Sequence, residues 1–157
     1  MRKIILAASL AVGALQFPAT QAANSSAPFD VTITLTSVCT IGTISAVDFA
    51  YTSFGALTNS TGGTFNLTCT NTLPVTFGLQ AGAGPAVPPG TATLNVTDNA
   101  VNLAYTLSAP AAATGTGLAV SKTITGSMAA AQSGNCASAS CSNTAATNKT
   151  QTLIVNF

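Results

Sequence analysis

The chain has 157 residues, only 4% of them charged, with a formal net charge of +1 at pH 7 and no histidine, glutamate or tryptophan. That length suits one domain with a modest core. The near-neutral balance excludes a basic footprint for nucleic acid, and the missing histidine excludes Ser–His and Cys–His catalytic pairs.

The first residues read as an export signal. Arg2 and Lys3 precede an apolar run over residues 4–15, too short to span a bilayer as a stable helix. Thr20 and Ala22 stand at the −3 and −1 positions, which predicts cleavage after Ala22, with Ala23 as the near alternative. The organisation expected is a signal peptide over 1–22, an N-terminal segment over 23–38 and a domain over 39–157.

Period-two alternation begins in the N-terminal segment. Phe29, Val31, Ile33 and Leu35 share one parity, with Asp30, Thr32, Thr34 and Thr36 between them. Such a strand fills either its own core or a neighbour's. Phe65, Leu67 and Cys69 alternate next, then Val75, Phe77 and Leu79, and more briefly Leu94 and Val96. A longer alternation runs through Val101, Leu103, Tyr105 and Leu107. Leu118 and Val120 are weaker, and Leu153, Val155 and Phe157 alternate with Thr152, Ile154 and Asn156. Each reads as a strand with one buried face. Turn formers separate them at 59–63, 81–90, 109–117 and 126–148, and no segment after the signal has helical periodicity. Many short strands with Gly/Pro turns predict an all-β sandwich.

Four cysteines in an exported chain read as disulfides, and three pairings are possible. Cys136 and Cys141 are close enough to staple one loop, which leaves Cys39 with Cys69. Counting by twos from Val31 reaches Cys39, and from Phe65 reaches Cys69, so both fall on inward parity. Without histidine or a C-x-x-C pair no metal site is expected.

The side-chain carboxylates past the signal are Asp30, Asp48 and Asp98 alone. Asp30 lies on the polar parity and Asp98 in Thr-Asp-Asn turn chemistry, so both are expected to be exposed. Asp48 reads as a residue that ties down a turn. The glycines at 82 and 84 lack the lysine and helix of a phosphate loop. No enzyme activity, cofactor or small-molecule substrate is expected.

Taken in order, several stretches resemble one family. They are the N-terminal alternation running into Val38-Cys39-Thr40-Ile41-Gly42, Asp48-Phe49 followed by Phe54-Gly55, Phe65-Asn66-Leu67-Thr68-Cys69-Thr70, and the closing Leu153-Ile154-Val155-Asn156-Phe157. The chain resembles the spore coat protein U domain family, which includes subunits of archaic (Csu-type) chaperone–usher pili. The resemblance implies an incomplete immunoglobulin-like β-sandwich completed by a donor strand. Its partners would be a periplasmic chaperone, an outer-membrane usher and further subunits in a self-polymer. Phe29, Val31, Ile33 and Leu35 would be the donor side chains. Leu153, Val155 and Phe157 would line the acceptor groove and register the chaperone, with Cys39–Cys69 as the structural bridge. The place implied is a cell-surface fimbrium of a Gram-negative bacterium, serving attachment or biofilm. A secreted coat protein of the same fold and a self-contained secreted binding module are the alternatives. With no tryptophan, and Tyr51 and Tyr105 as the tyrosines, a sugar-stacking platform is disfavoured.

Overall fold

The computed structural model describes residues 24–157. The expected signal peptide lies outside the described residues. Alternating β-branched and aromatic residues with Gly/Pro turns form strands here, in chain order: β1 (Cys39–Ile41), β2 (Val47–Asp48), β3 (Thr58–Asn59), β4 (Thr61–Gly62), β5 (Thr64–Cys69) and β6 (Pro74–Ala81). They continue with β7 (Thr93–Thr97), β8 (Ala104–Ser108), β9 (Ala113–Thr114), β10 (Ala119–Thr123), β11 (Thr125–Met128) and β12 (Gln151–Asn156). One 3-10 turn occupies Asn143–Ala145, and no helix among the described residues is long and apolar enough to cross a membrane.

The fold is an all-β sandwich of immunoglobulin-like type. The sheets run β1-β5-β10, β3-β11-β8-β7 and β12-β6-β9, with a β2-β4 ribbon, and every strand pair is antiparallel. β10 and β11 are nearly one strand that changes sheets at Ile124, pairing first with β5 and then with β8. The inward parity of β5 (Phe65, Leu67, Cys69) meets that of β6 (Val75, Phe77, Leu79) with Leu107 and Ile124 in one buried cluster. Phe65 and Phe77 meet edge to face at 6.3 Å between centroids, a favoured aromatic geometry.

Cys39 lies directly opposite Cys69 in the β1–β5 register, and the two form a disulfide with Cα atoms 4.1 Å apart. Cys136 is bonded to Cys141 in the loop before β12.

Four features differ from the sequence reading. The 29–36 alternation forms no strand: residues 24–38 carry no regular structure, and Phe29, Val31, Ile33 and Leu35 are each more than two-thirds exposed, at 84, 71, 85 and 78%. Alternation sets a side-chain pattern, but a strand needs a partner for its backbone. The strand expected from Val101 starts only at Ala104, because Asp98 caps a turn over the preceding residues. Asp98 itself is 2% exposed, not a surface residue. Three segments read as turn also contain strands, β3–β4 within 58–62, β9 at 113–114 and β11 within 125–128. β11 carries Gly126, where an added Cβ would stand 2.7 Å from the Phe49 ring, so a larger residue there would have to displace that ring.

Candidate functional site

β12 is an edge strand. It pairs with β6 from Gln151↔Ala81 to Asn156↔Thr76 and with no other described strand. Its two faces are covered differently. Leu153 and Val155 are half-buried against the core cluster. Ile154, on the other face, is fully buried, because the loop at Pro89–Gly90 lies over it and over its cross-strand partner Gly78. At Gly78 an added Cβ would come within 2.0 Å of the Pro89 carbonyl oxygen, so only glycine admits this cover. Asn156 Nδ2 donates to the same carbonyl at 3.1 Å. The outer face of β12 is thus covered, and its edge away from β6 pairs with no described strand.

Beside that edge is a cleft of about 790 Å³. Its lining comes from residues 44–51, from 149–153 at the start of β12, and from core side chains Leu79, Leu107, Ile124 and Met128. Residues 44–51 are held on their far side, where Ser45 N donates to Thr64 O at 2.9 Å and Gly63 N to Ala46 O at 2.9 Å. Among the described residues no backbone hydrogen bond joins residues 44–51 to β12. Two backbone edges therefore flank an apolar trough with nothing pairing them. Unpaired strand edges are templates for another strand.

One end of the cleft is polar. Asp98 Oδ1 accepts from the N–H groups of Ala100 and Val101 at 2.8 and 2.9 Å, while its buried Oδ2 has no partner. Tyr105 OH accepts from Gln151 Nε2 at 3.2 Å, and its ring packs on Phe49 at 5.6 Å. Burial pushes the Tyr105 phenol above its usual range; the Gln151 hydrogen bond opposes the shift, and the nearby Asp98 charge adds to it. Cys141, Ser142, Asn143 and Lys149 complete this end. The loop carrying them is tied down by Asn99 N donating to Asn148 Oδ1 at 3.1 Å and Asn148 Nδ2 donating to Thr97 O at 2.7 Å.

Of the residues singled out from sequence, Leu153 lines the cleft, Val155 packs on the core beside it, and Phe157 is 60% exposed. Cys39 and Cys69 lie in the first sheet, whereas Cys141 reaches the polar end of the cleft. Sequence reasoning missed Ile124, Met128 and Asp98. Met128 sits in a Thr-Gly-Ser-Met strand without alternation, and Ile124 falls at the sheet change. The signal for Asp98 was the apolar company of Val101, Leu103 and Tyr105, all of which line the same cleft. Among the described residues no three His, Cys, Asp or Glu side chains converge on a metal-binding arrangement.

The family model described as Spore Coat Protein U domain matches residues 25–155. No curated protein and no solved structure gives a significant match to the chain.

Proposed function

This chain belongs to the Spore Coat Protein U domain family, a structural rather than enzymatic family, and on that premise we propose that it is a pilus subunit polymerised by donor-strand exchange. The observation that carries the reading is the cleft between two unpaired backbone edges, in a chain that also holds an exposed alternating apolar segment. The physics is β-augmentation: the added backbone supplies hydrogen bonds and alternate side chains fill the trough. The dimensions agree. At about 3.3 Å per residue the steps along β12 from Gln151 to Asn156 cover about 17 Å and those from Phe29 to Leu35 about 20 Å.

In this reading Phe29, Val31, Ile33 and Leu35 of one copy enter the cleft of the next. Before assembly a periplasmic chaperone lends a strand to the same edge, and an outer-membrane usher exchanges it for the incoming segment. The chain would then sit in a surface fimbrium that supports attachment. Two disulfides, stable in oxidising compartments, agree with an exported chain.

The test is extraction of surface material from cells that carry the neighbouring secretion genes. A ladder of non-covalent oligomers that survives detergent until boiled is expected. Deleting residues 23–36 should abolish the ladder while the shortened chain still co-purifies with its chaperone. A ladder that persists after the deletion would overturn the proposal.

A further inference from the structure

Asp98 is the one fully buried charged side chain among the described residues. Its turn consumes Oδ1, whereas Oδ2 is buried without a donor. An unpaired buried carboxylate oxygen is costly, so the site calls for a donor that the described residues of one copy do not supply. The group lies at the start of β12, because Gln151 contacts Tyr105 and Asn148 contacts Asn99 and Thr97. This inference rests on the donor-strand reading above.

Every strand pair in the domain is antiparallel, and an added strand of the same sense has few registers open to it. Inward residues must face inward residues. Opposing Ile33 to Leu153 and Val31 to Val155 meets that condition. The same register sets Phe29 opposite Phe157, Leu35 opposite Gln151 and Ser37 opposite Lys149. Ser37 shares the parity of the four apolar residues, so in this register its hydroxyl would face the end of the cleft that Asp98 and Lys149 line. Sliding the strand two residues one way would drive Leu35 to the level of Lys149. Sliding it the other way would withdraw Ser37.

We infer that Ser37 of the neighbouring copy donates its hydroxyl proton in a hydrogen bond to Asp98 Oδ2, and that this contact fixes the register of the added strand. The apolar side chains supply affinity; the serine and the carboxylate decide where the strand stops.

The test uses full-length chains assembled into polymer, with cysteine pairs placed across the proposed junction and both native disulfides verified by mass spectrometry. Directly opposed residues lie close enough to cross-link. Thr34→Cys with Thr152→Cys should give a covalent ladder after boiling without reductant. The pairs Thr36→Cys with Thr152→Cys, and Thr34→Cys with Thr150→Cys, should not. In otherwise native chains, Ser37→Ala polymer should dissociate on heating roughly tenfold faster, as expected for losing a hydrogen bond to a charged group. Ser37→Thr, which keeps the hydroxyl, should dissociate at the native rate. Polymers that cross-link through a different pair, or through none, overturn the register. A native rate for Ser37→Ala overturns the Asp98 contact. Both results leave donor-strand exchange standing, which fails instead if polymers form without residues 23–36.

Discussion

The Tyr105 hydroxyl accepts a hydrogen bond from Gln151 while its ring rests on Phe49, and burial holds its ionisation above the ordinary value of 10.0. A phenol whose folded pKa is raised favours the fold as long as it stays neutral. That contribution is complete below pH 10 and is lost as pH climbs toward the raised folded value. Thermal melts between pH 9 and 11 should therefore fall more steeply for the native chain than for Tyr105→Phe; equal slopes would contradict the assignment. Gly78 offers a second residue-scale check. Its would-be Cβ meets a backbone carbonyl, which cannot rotate aside, so Gly78→Ala should lower stability by about 1–3 kcal/mol in urea unfolding. Neither Gly78 nor the buried Asp98 beside Tyr105 was legible as special in the sequence. A glycine in an alternating strand shows no overlying loop, and Asp98 in turn chemistry is usually a solvated cap. Its turn role was readable; its burial depended on how the turn at 98–103 met the loop at 147–149.

At the scale of elements, alternation was a good guide for four strands paired within the domain but not at β10, where Leu118 just before it and Val120 within it are exposed, at 72 and 36%. β5, β6, β7 and β12 stand where Phe65, Val75, Leu94 and Leu153 open their period-two patterns. It misled where the face changed: Ile154 sits on the parity shared with Thr152 and Asn156, yet the Pro89–Gly90 loop buries it. β11 was invisible because Gly126 and Ser127 are small and follow no pattern. The two disulfides differ in leverage. Cys39–Cys69 closes a separation of 30 residues and ties β1 to β5, whereas Cys136–Cys141 closes 5 within one loop. By chain entropy the first stabilises by roughly 3.7 kcal/mol and the second by roughly 2. Paired Cys→Ser variants should show that order in denaturant midpoints, and the reverse order would contradict it. The N-terminal segment makes a separate test. Ile33 is 85% exposed, so Ile33→Asp should leave the unfolding of the monomer unchanged while abolishing the detergent-resistant ladder, since a buried unpaired charge is expensive.

For the whole molecule, the surface chemistry and the open cleft act together. Rows such as Thr40–Thr68–Ala119 and Asn95–Thr106–Ser127 cross the sheets without a charge, and Thr106 Oγ1 donates to Asn95 Oδ1 at 2.7 Å within one of them. With so little like-charge repulsion, close packing of many copies meets no electrostatic barrier. The composition made this property readable at once, and the strand pattern made the sandwich readable. The cleft was not readable, because its lining joins residues 44–51, 98–107, 124–128 and 149–153, far apart in sequence. The central claim is that the free edge of β12 is filled by another copy. Hydrogen–deuterium exchange on monomer and assembled polymer measures that edge directly. The amides of residues 151–156 that face away from β6 should exchange rapidly in the monomer and at least tenfold more slowly in the polymer, together with newly protected amides in residues 29–35. Equal exchange at the β12 edge in both states would contradict the account.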